Sequence, residues 1–185
     1  MSNEQLSMKQ FSFKDFPKIY TERLLLRQLN SDDVLAIFKL RSHPKVNRFI
    51  TRETPKNIEE SAEFITICHQ EFEKQNRIFW AIEDKSTKQL IGSIVYHRIS
   101  IETNYAEIGY ELDPSFHQKG FMSEAMKAVL EFGKSTMQLK TIEAFTHQNN
   151  TASKTLLEKH HFIFQPERRE QGFENNRIFR LEINE

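Results

Sequence analysis

The chain is poor in the residues that staple, tether or charge a protein. Its 185 residues hold one cysteine, Cys68, so an internal disulfide framework is excluded. No cluster joins that cysteine to histidines or carboxylates at a zinc-like spacing, so no metal is expected and a reducing cytoplasm is the compartment predicted. Five glycines and five prolines, with no repeat and no low-complexity run, are too few for flexible linkers between domains. Basic and acidic residues, 26 each, cancel to a formal net charge of zero. That excludes a broad basic surface for nucleic acid and a polybasic patch for membranes, so any anion site must be local. No stretch approaches the roughly 20 apolar residues of a membrane span. Met1 to Lys18 lacks a charged head followed by an apolar block, which predicts no export leader.

Phenylalanine is abundant, at sixteen residues against one tryptophan and four tyrosines, and supplies core material for a single domain. Residues 1–17 are polar, with scattered Phe and no period, and are expected to form an N-terminal arm to a domain spanning 18–185. Ile19 to Arg27 reads as a first strand. Asn30-Ser-Asp-Asp then caps a helix from about Asp32 to Arg41 with a stripe of Val34, Ile37 and Phe38. Pro44 and Pro55 bracket an irregular link. Asn57-Ile-Glu-Glu has the form of a capping box opening a long helix, with Ala62, Ile65, Ile67 and Phe72 on its apolar side. Arg77 to Glu83, Gln89 to His97 and Tyr105 to Leu112 read as strands joined by short polar turns, which favours an antiparallel meander. A helix from Ser123 to Thr136, a strand Thr141 to Thr146, a helix Ala152 to His160 and two closing strands complete an α+β chain around one mixed sheet.

Between Leu112 and the following helix stands His117-Gln118-Lys119-Gly120-Phe121-Met122-Ser123. A strand that ends in a glycine turn opening a helix presents N–H groups without intrahelical partners, together with the positive end of the helix dipole, to an anion. Lys119, Gly120, Phe121 and Met122 are placed to supply those donors. Gly120 lets backbone approach phosphate oxygens, and Ser123 caps the helix or bonds phosphate directly. A lone glycine turn also serves to reverse a chain before an ordinary helix, so the turn alone does not decide.

Three further segments do. Thr21-Glu-Arg-Leu-Leu-Leu-Arg27, Ala106-Glu-Ile-Gly-Tyr110 and Asn150-Thr-Ala-Ser153 with its helix, taken with the turn, make residues 19 to 183 resemble the GNAT superfamily of N-acetyltransferases. The likeness is to its ribosomal-protein N-terminal acetyltransferase subgroup. The resemblance implies acetyl-CoA as cosubstrate, a twisted mixed sheet with helices on both faces, and two parallel strands, Tyr105–Leu112 and Thr141–Thr146, splayed around the pantetheine arm. It places the pyrophosphate at His117 to Ser123, puts Tyr110 and Leu112 along the arm, and gives Asn150 the pantetheine and Ser153 the sulfur. Helix capping is the other reading for those last two. His117 and Met122 depart from the superfamily's usual Gln/Arg and Gly/Ala, and His161 stands where glycine precedes phenylalanine. A homodimer is compatible with such folds, although no segment specifies an interface.

For chemistry, Glu107, Gly109 and Glu111 share one strand face by period two. Either carboxylate suits the removal of a proton from an acceptor amine; the resemblance favours Glu107, which falls, counting back from the turn, close to where several superfamily members place a base, and a solvated strand face is the alternative for both. A backbone N–H near Tyr110 to Leu112 suits the oxyanion. Where many relatives carry a tyrosine acid on the last helix this chain has Leu157, which moves the proton donor to Ser153. The activity implied is direct acetyl transfer to a primary amine of a protein N-terminus or small molecule. The alternative is a non-catalytic acyl-CoA-binding module.

Overall fold

The computed structural model describes residues 13–183. Eight strands form one sheet in the order β1-β2-β3-β4-β5-β6-β8-β7. In chain order they are β1 (Ile19–Tyr20), β2 (Leu24–Arg27), β3 (Ile78–Asp84), β4 (Leu90–Ser100), β5 (Tyr105–Leu112), β6 (Thr141–His147), β7 (Ile163–Phe164) and β8 (Asn176–Glu182). The helices are α1 (Val34–Ser42), α2 (Pro44–Asn47), α3 (Ile58–Glu73), α4 (Phe121–Ser135) and α5 (Thr151–Lys159). Every pairing is antiparallel except β5 with β6, so the expected α+β architecture with a meander and one parallel pair is the fold observed.

The sheet separates two cores, and β3 shows why. All seven of its residues are buried, and their alternation divides them. Ile78, Trp80 and Ile82 join the core shared with Met126 and Val129 of α4, while Phe79 and Ala81 meet Ile37 of α1 and Ile65 and Cys68 of α3. On β5 the same alternation sends Ala106 and Ile108 into the α4 core and leaves Glu107, Gly109 and Glu111 facing the α1 side. Burial pushes the Cys68 thiol up to about 11, so it remains a protonated packing group at neutral pH.

Several expectations need correction. The first strand is a hairpin: β1 and β2 fold on each other around Thr21–Arg23, with Ile19 opposite Leu26. The Glu124 carboxylate fixes the bend by accepting from Thr21 Oγ1 (2.6 Å) and Arg23 N–H (2.8 Å). The link after α1 contains α2, which takes Pro44 in its first turn and His43 as cap. In α3 the buried stripe is Ser61, Ile65, Cys68 and Phe72, at helical spacing; Ala62 and Ile67 lie outside that phase and are exposed. Asn57 caps α3 through Glu60 N–H, but the Glu60 carboxylate reaches Lys56 N–H instead of closing the box. Helix α4 begins at Phe121, so Ser123 lies inside it and does not cap it.

Of the expected N-terminal arm, residues 1–12 lie outside the described residues. Phe13 stacks on Phe132, Phe16 packs against Phe72 and Trp80, and the Trp80 indole N–H donates to the Pro17 carbonyl at 2.7 Å. His161 leaves α5 at φ 65°, so the non-glycine residue adopts the left-handed turn that glycine takes most easily. Among the described residues no helix is long and apolar enough to cross a membrane.

Candidate active site

The site begins where the parallel pair comes apart. Tyr105, Ala106 and Glu107 pair with Thr141, Ile142 and Glu143, and there the β5–β6 register ends. Beyond it β5 stays with β4 as far as Leu112, while β6 stays with β8 as far as His147. The rest of β5 therefore turns one edge of N–H and C=O groups into a wedge, open to an extended ligand arm that adds like a strand.

At the far end of β5 the chain makes the expected turn. Gln118 (φ 60°) and Gly120 (φ 79°) are both left-handed, and Gly120 stands at the N-cap of α4 without a side chain over the helix end. Among the described residues no acceptor takes the N–H groups of Gly120, Phe121, Met122 or Ser123. The surrounding side chains brace the turn. His117 Nε2 donates to Leu112 O at 3.0 Å, and Lys119 Nζ donates to Ser115 O at 2.8 Å. Arg23 donates through Nη1 to Lys119 O, pairs through Nε with Glu124 at 2.7 Å, and lies 4.3 Å over the Phe121 ring. Burial works against the Glu124 charge, but the Thr21 hydroxyl and the Arg23 N–H and guanidinium hold its carboxyl below the usual range. Arg23, paired with Glu124, thus places its guanidinium beside an array of backbone N–H donors, a fit for a pyrophosphate. The sequence presented Arg23 only as part of a matching segment; its place beside the turn follows from the hairpin. Met122 is a core side chain, so only its backbone can face a ligand.

Across the wedge, Asn150 caps α5 by accepting from Ser153 N–H at 3.1 Å. The buried Ser153 hydroxyl meets the Tyr110 hydroxyl at 2.8 Å, linking α5 to β5. No sequence signal joins residues 110 and 153; the fold alone does. Burial raises the Tyr110 phenol above its ordinary value, so it keeps its proton. Ser123 is drawn away from the turn, its hydroxyl lying 2.9 Å from His160 Nε2, and burial lowers the pKa of that imidazole.

On the other face lies a cleft of about 360 Å³ lined by both glutamates, His97, Gly109, Arg52, Phe49 and Phe173, among others. The size suits a small-molecule or chain-end site. Its two carboxylates differ. Glu111 accepts from Arg52 Nη1 at 2.5 Å and from Ser93 at 3.3 Å, with Arg41 Nη1 at 3.6 Å, so it anchors the 49–52 segment and α1. Burial pulls the Arg41 pKa below its ordinary value, while the Glu111 charge opposes that fall. Glu107 accepts from the exposed Arg98 at 3.0 Å, lies 3.2 Å from the Tyr105 hydroxyl oxygen, and faces His97 Nδ1 at 3.7 Å. Burial, followed by the charges of Arg77 and Arg98, lowers His97 to about 4, so it is a neutral acceptor at physiological pH. A side chain at Gly109 would press on Val95 Cγ1 at 3.2 Å and approach His97 Nε2 at 3.8 Å. Glycine there keeps the floor between the carboxylates open. The cleft is also lined by Arg41 of α1, by residues 49–52 and by Glu170, Phe173 and Asn176.

The sequence matches the acetyltransferase (GNAT) domain family across residues 23–163. The chain belongs to the GNAT acetyltransferase family. Within the family it is 37% identical over 144 residues to an uncharacterized N-acetyltransferase of Bacillus subtilis, YoaA, covering 78% of this chain and 81% of that protein. It is 27% identical over 140 residues to the acetyltransferase PseH of Campylobacter jejuni, covering 76% of this chain and 83% of that protein. A GNAT acetyltransferase structure from Bacillus anthracis superposes with a TM-score of 0.73 at 25% identity, covering 90% of this chain and 98% of that one. The coenzyme A complex of RimL, a ribosomal L7/L12 alpha-N-protein acetyltransferase, shares the fold with a TM-score of 0.78 at 18% identity over 90% of this chain and 98% of its own. The GNAT family draws its acetyl group from acetyl-CoA, and the turn at 117–123 and the β5–β6 wedge fit that cosubstrate.

Proposed function

We propose that this GNAT acetyltransferase transfers acetyl directly to a primary amine that enters through the cleft on the α1 face. One observation carries the reading: β5 leaves β6 immediately after the Glu107–Glu143 pair, so the unpaired part of β5 borders the carboxylate cleft and leads at its end to the N–H turn that opens α4. Bound acetyl-CoA supplies the acetyl group as an activated thioester. The N–H groups of 120–123 and Arg23 hold phosphate, and Asn150 with the free edge of β5 holds the extended arm. A β5 N–H near Tyr110 to Leu112 polarises the carbonyl.

Glu107 takes the proton of the incoming ammonium, directly or through one water. Glu111, held by Arg52 and Arg41, shapes the acceptor wall instead. Ser153 Oγ, bonded to the Tyr110 phenol, holds the proton for the leaving side of the reaction, which answers the absence of a tyrosine at Leu157. That hydroxyl pair favours an enzyme over a non-catalytic acyl-CoA-binding module.

The acceptor class we propose is a peptide N-terminus or a small amine; the shared fold with RimL, a ribosomal L7/L12 alpha-N-protein acetyltransferase, supports the first. We also propose that residues 18–185 form the catalytic domain with 1–17 as its arm, and that the protein acts in the cytoplasm, where the free, buried Cys68 stays reduced. A homodimer is compatible with this reading.

The test is calorimetric titration with acetyl-CoA against a dephosphorylated pantetheine control. An acceptor panel follows, made of serine- and alanine-initiated peptides with free N-termini and primary alkylamines. Micromolar binding, on the order of −8 kcal/mol, that requires the pyrophosphate supports the cosubstrate site. Binding with no turnover of any acceptor would support the non-catalytic alternative, and no binding would sink both.

A further inference from the structure

Behind Glu107, away from the cleft, one phenol touches two buried carboxylates. Tyr105 Oη lies 3.2 Å from Glu107 Oε1 and 3.1 Å from Glu143 Oε2. Both glutamates are buried, at 6% and 2% exposure, and are register partners on β5 and β6. A phenol has one proton, and an ionised carboxylate only accepts. With both carboxyls ionised, one of the two contacts has no hydrogen between its oxygens. Both are satisfied when one carboxyl carries a proton.

The cations decide which. Arg168 grips Glu143 through both Nη1 and Nη2, and Arg180 adds Nη1 at 3.6 Å. Glu107 has Arg98, whose side chain is 66% exposed, and a neutral His97. The closely held cations thus gather on Glu143, which draws the phenolic hydrogen toward itself. The Tyr105 oxygen is left facing Glu107 as an acceptor. Burial, followed by the charges of Glu107 and Glu143, raises the phenol above its ordinary value, so it stays neutral.

We propose that Glu143 and Tyr105 form a positioning pair that makes Glu107 a better proton acceptor: Glu143 orients the Tyr105 hydroxyl so that its oxygen accepts a hydrogen bond from the Glu107 carboxyl once that carboxyl has taken the proton of the acceptor amine. The inference rests on Glu107 being the base. In the step, the N–H bond of the ammonium breaks and an O–H bond forms on Glu107. The new hydrogen then bonds to Tyr105 Oη while the phenolic hydrogen stays directed at Glu143. The amine nitrogen keeps the electron pair with which it attacks.

Y105F tests this, because it removes one oxygen and its sign separates the two possible roles. If Tyr105 supports protonated Glu107, the acid limb of the pH–rate profile for the fastest acceptor of the panel above moves down by about one pH unit. In that case kcat at neutral pH falls roughly three- to tenfold, with the acceptor KM little changed. A second readout needs no turnover: in glutamate-13Cδ-labelled protein without cosubstrate, the Glu107 carboxyl, assigned through E107Q, should titrate at lower pH in Y105F than in wild type. An unchanged midpoint or a move to higher pH, the sign expected if Tyr105 donates to Glu107, overturns the proposal. Failure of the amine panel would strike at the transferase reading and leave the carboxyl titration to decide this one.

Discussion

Replacing Gly120 tests the cosubstrate site most directly. The residue sits at φ 79°, ψ 1°, and its missing Cβ would lie 3.4 Å from Arg23 Nη2. G120A therefore meets contact without a severe clash, and its main cost is the left-handed backbone, about 1–2 kcal/mol. For a chain of this length each kcal/mol lowers Tm by about 2–4 °C, so melting is expected to fall by roughly 2–8 °C. If the turn relaxes toward ordinary torsions to escape that strain, its N–H groups lose their common aim. A matching loss of binding energy weakens acetyl-CoA roughly five- to thirtyfold. G120E adds a carboxylate beside the phosphates and should abolish binding. Calorimetry measures the affinities, scanning fluorimetry the melting, and the dephosphorylated pantetheine fragment reports on the arm alone. Wild-type acetyl-CoA affinity in G120E would refute the placement of the pyrophosphate, whatever the melting data showed.

Three further outcomes test the other parts of the site. E107Q should spare acetyl-CoA binding and lower turnover most where a carboxylate base is ionised and the amine is still protonated, with the loss shrinking as pH rises toward the amine's own pKa; a pH–rate profile parallel to wild type would remove Glu107 as base. E111Q strips the charge that pairs Arg52 and Arg41 and should cost roughly 3 kcal/mol, or about 6–12 °C in Tm, so an unchanged melting curve would contradict its anchoring role. The depressed His97 means the folded state resists a proton that the unfolded chain accepts below pH 6.5, so its contribution to stability is present above that pH and is lost as pH falls toward about 4. In urea unfolding across that window H97N should flatten the decline, and an identical slope would exclude His97 as a cause.

The sequence by itself determined the order of the elements apart from the β1–β2 hairpin and α2, because each of the others is written in local rules. Alternation marks β3 to β5, Asn57 and Asn150 cap their helices, and Gly120 opens α4. It also marked Glu107 and Glu111 as sharing a face, since period two requires no knowledge of neighbours. Phase was harder: α3 turns Cys68 inward and Ile67 outward because the packing partner, and not the hydrophobicity of each residue, selects the stripe. Only the tertiary structure decided which charges meet. Arg52 on Glu111, Arg23 on Glu124, Tyr110 on Ser153 and Tyr105 between Glu107 and Glu143 join residues that are distant in the chain or on separate strands. Two like carboxylates two turns of the pleat apart thereby acquire different work, because a side chain's chemistry is fixed by the donors and charges folded around it, and those come from other parts of the chain.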